Sequence, residues 1–161
     1  MTEQEGQLDA GGKKIAIVAS RFNDFVVEQL IQGARDSLLR MGADENSIEL
    51  YRVPGAFEIP GVACKLVDGD AFDAVICLGA VIRGATPHFD YVAGESAREI
   101  ARLAARSPVP VIYGVLTTDT VEQAIERAAP EVGNKGGVAA IAALEMADLY
   151  AALKRNRIPD A

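Results

Sequence analysis

The chain has 161 residues, 50% of them hydrophobic and 24% charged, a composition that fits one folded domain with a real core and excludes a disordered segment. Sixteen basic against 23 acidic residues give 16 − 23 = −7, and no lysine–arginine cluster breaks that balance, so nucleic acid and anionic membrane are disfavoured as partners. Met1 to Gly12 lacks the basic and apolar regions of a signal peptide, and no uninterrupted apolar run reaches the ~20 residues of a membrane span, so a soluble, cytoplasmic protein is expected.

In chain order, residues 1–12 are polar and without periodicity: a tail, or an arm that orders only against a partner or adds to a neighbour's sheet edge. A single domain is expected over residues 13–161. Ile15 to Ala19 is an apolar run of buried-strand type, and Asn23 or Asp24 is placed to cap a helix whose apolar positions Val27, Leu30, Ile31, Ala34, Leu38 and Met41 recur at helical spacing up to Gly42. Ile48 to Val53 predicts a second strand, followed by Pro54-Gly55-Ala56-Phe57-Glu58 and a helix with Pro60 in its first turn. Ala74 to Ala80 predicts a third strand, Phe89 to Arg106 a third helix, and Val109 to Leu116 a fourth strand entered through Pro108 and Pro110. Thr117 to Thr120 caps a short helix through Arg127, Ala129-Pro130 breaks it, and Gly133-Asn134-Lys135-Gly136-Gly137 leads into an alanine-rich helix ending near Arg155. Cys64 and Cys77 match no metal-ligand spacing and read as small core residues, and no metal is implied.

Alternating strands and helices of these lengths predict an α/β fold, a flavodoxin-like three-layer sandwich with a four-stranded parallel sheet and helices on both faces. Ligands in such sheets sit outside the carboxyl ends of the strands. Phe22-Asn23 follows the first strand, Pro54 to Glu58 the second, Ala80 to His88 the third, and Tyr113 to Thr118 closes the fourth, so an aromatic, a carboxylate, a glycine loop and a second aromatic are expected on one rim. Gly79 and Gly84 allow backbone amides to approach a ligand, and the helix start after them favours an anion such as phosphate. His88, the only histidine, stands there, and imidazole ordinarily titrates at about 6.5, within reach of neutrality. No Walker sequence or Gly-x-Gly-x-x-Gly fingerprint is present, so a nucleotide cofactor is disfavoured.

Taken together, Arg21-Phe22-Asn23, Val53 to Glu58, Gly79 to Gly84 with Thr86 and His88, Gly114 to Thr118, and Gly133-Asn134-Lys135-Gly136 resemble the 6,7-dimethyl-8-ribityllumazine synthase family of riboflavin biosynthesis, over about Lys13 to Arg155. The resemblance implies condensation of 5-amino-6-(D-ribitylamino)uracil with 3,4-dihydroxy-2-butanone 4-phosphate, releasing phosphate and water, without a cofactor. It implies that Phe22 stacks on the pyrimidine and that Ala56, Phe57, Glu58, Ala80, Val81, Ile82 and Tyr113 serve the ribitylaminouracil. It further implies that Ala85, Thr86 and Arg127 hold the phosphate, with Lys135 a weaker candidate, and that His88 is the proton donor. The family's partners are its small-molecule substrates and copies of itself: pentamers in which Arg127 and Tyr113 come from the adjacent subunit, some of them packed into icosahedral capsids of sixty subunits, with riboflavin synthase a further partner.

The chain departs from the family pattern at three places. Tyr113 stands where phenylalanine is usual, Pro130-Glu131 replaces a threonine–lysine pair and puts a negative charge near Arg127 and Lys135, and Gly137-Val138 replaces alanine–glutamate. Two rivals remain at this stage. A non-catalytic lumazine- or riboflavin-binding or shell-forming member would not require His88, Arg127 and Thr86 together. A flavodoxin-like regulatory domain would carry an acidic phosphoacceptor cluster or a flavin phosphate loop after its first strand, and neither is present.

Overall fold

A computed structural model of the chain describes residues 1–155, so the last six residues of the expected domain lie outside the described residues. The elements alternate as expected: β1 (Ile15–Ser20), α1 (Asp24–Arg40), β2 (Ile48–Val53), α2 (Ile59–Asp68), β3 (Ala74–Ile82), α3 (His88–Arg106), β4 (Val111–Thr118), α4 (Val121–Ala128) and α5 (Lys135–Arg155). Single 3-10 turns cover Glu45–Ser47, Ala56–Glu58 and Pro130–Val132. The four strands form one parallel sheet in the order β2-β1-β3-β4. This is the expected flavodoxin-like α/β arrangement.

The two central strands are apolar throughout because both of their faces are covered. Along β1, Ile15, Ile17 and Ala19 point to the core shared with α1, α4 and α5, while Ala16 and Val18 point to the core under α2 and α3. In β3 the same alternation sends Ile76, Leu78 and Ala80 one way and Val75, Cys77 and Val81 the other. The edge strand β2 buries only Val53 and carries charge instead, with Lys14 Nζ 2.7 Å from Glu49 and Arg52 paired with Glu28 on α1. Charge on an exposed edge discourages pairing with a foreign strand.

The predicted ends shift at β3 and β4. Both strands run two residues past the expected Ala80 and Leu116, because Val81 and Ile82 pair with the β-branched Thr117 and Thr118. At its other end β4 starts at Val111 and not at Val109, since Pro110 has no N–H to give the sheet, although its carbonyl accepts from Val75 N at 2.9 Å. Helix α3 begins one residue early, at His88.

Helix α5 is 21 residues long and apolar enough, by length and composition, to cross a membrane. Its alanines explain this, for Ala139, Ala140, Ala143, Leu144 and Ala147 are buried against α1 and the sheet. The approach is close: a methyl group on Gly136 would lie 1.9 Å from the Leu30 carbonyl oxygen of α1. The asparagine before it fastens the same junction. Asn134 Nδ2 donates to Gln29 O (2.7 Å) on α1 and to Ala128 O (2.5 Å) at the end of α4, while its Oδ1 accepts from Gly136 N (2.8 Å) and Gly137 N (3.1 Å). The first turn of α5 is thereby capped and tied to two other helices.

The N-terminal arm lies on its own chain, whereas the sequence left it either a tail or an arm ordered only by a partner. Gly6 is buried against the Glu145 backbone of α5, Gln7 N donates to Asp148 Oδ2 at 2.9 Å, and the fully buried Ala10 donates to Met41 O at 2.9 Å. Absence of a side chain at Gly6 permits that contact, a feature invisible to periodicity.

Of the two cysteines, Cys77 is in the core as expected but Cys64 is exposed on α2, with its thiol 3.7 Å from Asp68 Oδ2. Burial pushes the Cys77 thiol up to about 12. Because folding raises this value, the associated stability is fully present below about pH 9 and is lost as pH rises from there toward 12. A thiolate-selective reagent at pH 8 should therefore modify Cys64 but spare Cys77 until the protein is unfolded; equal reactivity of both thiols in the folded protein would contradict this placement. The helix junction makes a second prediction. Gly136→Ala should destabilise the protein by about 1–3 kcal/mol in urea titration, since the added methyl meets backbone and not a movable side chain.

Candidate active site

At the carboxyl ends of β1, β2 and β3 the chain forms an open cleft of about 720 Å³, lined by Phe22 and Asn23, Pro54 to Glu58, Ala80 to Ile82, Gly84, Thr86, His88, Phe89, Tyr91 and Val92. Its place follows from the strand order. The chain leaves β1 toward β2 on one side and returns to β3 on the other, so the loops after β1 and β3 diverge and leave a crevice between them.

The walls are held by backbone and amide contacts. Beyond β1, Arg21 N donates to Val53 O (2.8 Å) and Phe22 N to Pro54 O (3.1 Å), which fixes the first loop on the second. The Phe22 ring is left 72% exposed at the mouth. Asn23, one of the two cap candidates with Asp24, stands at the N-cap of α1 but makes no side-chain capping bond. It adopts the left-handed conformation (φ 60°, ψ 44°) and its Nδ2 donates to Ala80 O at 2.8 Å, joining the first loop to the end of β3. Asparagine is among the few residues that take this conformation readily.

In the second loop Ala56 is buried and forms the floor, whereas Phe57 is 57% exposed. Glu58 turns back so that its Oε2 accepts from Gly55 N at 2.9 Å, which orients the carboxylate at the rim. Ala80 and Val81 are buried and Ile82 half-buried, so this wall is apolar with backbone groups at its edge. Thr86 faces the cleft, while Ala85 occupies the same exposed turn without lining it. His88 is the first residue of α3 and exposed; Tyr91 and Val92, three and four positions on, lie on its face of the helix and complete the lining. Pro87 at the cap offers no side-chain acceptor, and although Asp90 N donates to Pro87 O at 3.0 Å, the amides of His88 and Phe89 remain available to an anion.

Tyr113, Arg127 and Lys135 are not in this cleft. They line a separate concavity of about 350 Å³ between β4, the end of α4 and the start of α5, together with Val138 and Ala142. The expected single rim of four strand ends is therefore corrected, because Tyr113 pairs with Cys77 in mid-strand, well before the strand's carboxyl end. Partial burial raises the Tyr113 phenol above its ordinary value. Arg127 Nη1 donates to Gln123 O at 3.1 Å, and the Lys135 side chain is exposed. Glu131 lies in the exposed turn between them.

Residues 12–151 match the family model described as 6,7-dimethyl-8-ribityllumazine synthase. The chain belongs to that family. A protein named 6,7-dimethyl-8-ribityllumazine synthase from Syntrophus aciditrophicus is 57% identical over 148 residues, spanning 92% of this chain and 96% of that protein. Another of the same name, from Desulfotalea psychrophila, is 56% identical over 150 residues, spanning 93% of this chain and 97% of that protein.

Strand-end position together with the family resemblance had singled out Phe22, Ala56, Phe57, Glu58, Ala80, Val81, Ile82, Thr86 and His88, and the cleft brings these together. They had not singled out Phe89, Tyr91 and Val92 for the site, although helical spacing from His88 carries that information for Tyr91 and Val92. Nor had they given Asn23 its part as a tie between loops. Asn23→Ala should lose the bond to Ala80 O and strain the backbone, lowering stability by about 1–3 kcal/mol in denaturant titration, and Asn23→Gly should recover the backbone share. If both variants were as stable as the parent, the tie would have no energetic weight.

Proposed function

We infer that this chain condenses 5-amino-6-(D-ribitylamino)uracil with 3,4-dihydroxy-2-butanone 4-phosphate to give 6,7-dimethyl-8-ribityllumazine, phosphate and water. The observation that carries this reading is the gathering of Phe22, Glu58, Thr86 and His88 around one cleft in a chain that belongs to the lumazine synthase family. Phe22 offers an exposed face for the pyrimidine, and the oriented Glu58 carboxylate with backbone groups of Ala80 to Ile82 suits the uracil edge and ribityl hydroxyls. The butanone phosphate belongs beside Ala85 and Thr86, where the His88 and Phe89 amides at the start of α3 favour an anion.

In the reaction the uracil amine adds to the ketone and water leaves to form an imine. Phosphate is then eliminated, and attack by the ribitylamino nitrogen closes the second ring with loss of water. Each step moves a proton, and His88 is the group at hand to donate or accept it. Amine and ketone are intrinsically reactive, so most of the acceleration comes from holding them together.

Arg127, Lys135 and Tyr113 serve a cleft on another copy of the chain. Their separation from His88 within one chain supports this, because among the described residues no arginine lines the cleft that would bind a phosphate at Thr86. The assembly is a homo-oligomer, with the family's pentamer as its unit, and the setting is cytoplasmic; the icosahedral shell and association with riboflavin synthase are extensions of the same reading. On these grounds His88→Ala should leave a slow but measurable enzyme, reduced by about 10² or less. Arg127→Ala should do more harm. Loss of one charge-assisted pair costs about 1.5–3 kcal/mol, or roughly ten- to a hundredfold, before misplacement of the ketone is added. Steady-state assays of lumazine absorbance with each substrate varied in turn provide the check: the Arg127→Ala defect should appear mainly with the butanone phosphate, and equal weakening toward the pyrimidine would contradict the assignment.

A further inference from the structure

Arg83 follows β3 directly, at the head of the exposed turn 84–87. Its guanidinium does not line the cleft; it is spent on three protein groups. Nε donates to Asp119 Oδ1 at 2.8 Å, Nη1 donates to Asp90 Oδ1 at 3.3 Å, and the guanidinium carbon stands 4.3 Å from the centre of the Phe89 ring. The Arg83 backbone N–H also donates to Thr118 O at 2.9 Å. Asp90 and Phe89 are the residues next to His88 in the first turn of α3, and Asp119 lies in the turn that opens α4. From Asp119 the contacts continue, its N–H donating to Gln123 Oε1 at 2.9 Å and the Gln123 carbonyl accepting from Arg127 Nη1 at 3.1 Å.

We propose that Arg83 is a positioning residue, which clamps the turn carrying Thr86 and His88 to the turn that launches the helix of Arg127. Residues 84–87 are all exposed, so burial does not set their shape, and a contact at each end must do so. Exposed ion pairs add little to overall stability. Three partners converging on one planar, forked cation nevertheless define an orientation, and lysine, as a point charge, reproduces one pair but not the fork or the stacking. The effect of Arg83 is therefore on geometry at the phosphate end of the cleft. The inference depends on the functional reading above for its kinetic consequence, though not for its structural one.

The test uses the full-length assembled protein with Arg83→Ala, Arg83→Lys and Asp119→Asn. Arg83→Ala should lose about ten- to a hundredfold in kcat/KM toward the butanone phosphate, with the KM for the ribitylaminouracil changed little. Arg83→Lys should recover part of that loss, and Asp119→Asn should show a smaller loss of the same kind. Thermal midpoints should stay close to that of the parent, and amide hydrogen exchange across residues 84–92 should quicken in Arg83→Ala. Unchanged kinetics and exchange would overturn the proposal, as would a defect shared equally by both substrates that follows a lowered thermal midpoint. Should the parent protein form no lumazine, the functional reading fails while the exchange measurement still decides the clamp.

Discussion

Burial of β1 and β3 on both faces is the constraint from which the site follows. Strands covered by helices on both sides must be joined by crossovers, crossovers make the sheet parallel, and a parallel sheet delivers all of its outgoing loops to one edge. With the order β2-β1-β3-β4, the loops after β1 and β3 part company above the middle of the sheet. Phe22, Glu58 and His88 come from distant parts of the sequence and meet because that edge has room for them. Nothing in their local chemistry would otherwise bring them together.

The rigid sheet does not itself hold the loops, and a small set of polar side chains does. Asn23 ties the first loop to β3, Glu58 ties down the second, and Asn134 binds α5 to α1 and α4. Asn134 in particular serves groups that helix ends leave unpaired, Ala128 O at the end of α4 and the Gly136 and Gly137 amides at the start of α5. The consequence for function is that the cleft is preformed, as a reaction governed by juxtaposition of two reactive substrates requires. The cationic concavity at Arg127 and Lys135 is preformed in the same way, but on a different part of the surface.

Much of this was legible before any coordinates. Continuous apolar runs such as Ile15 to Ala19 have few readings other than a doubly covered strand, and loops after such strands are where ligands bind, so Phe22, the Pro54 to Glu58 turn and the stretch to His88 stood out. Where local pattern failed, the missing information was long-range. Gly6 reads as an ordinary tail residue until α5 is laid beside it, and Asn23 reads as a cap until its distance from Ala80 is known. Tyr113 reads as one of the closing residues of β4, but the strand runs on to Thr118, two residues beyond the expected Leu116, and the register with Cys77 leaves Tyr113 well inside it. Cys64 looked like a core residue because its neighbours are apolar, but it falls on the outer face of α2.

The central claim is that a working site joins the His88 cleft of one copy to the Arg127 concavity of another. It is tested most directly by subunit mixing. One variant would carry Phe22→Ala with His88→Ala, leaving its cationic concavity intact, and the other Arg127→Ala, leaving its cleft intact. Dissociated, mixed in equal amounts and reassembled, they should form parent-like junctions at about one site in four, and lumazine formation should rise well above the mean of the two variants measured separately. Activity equal to that mean, in oligomers shown to contain both variants, would mean that cleft and arginine act within one chain and would contradict the account.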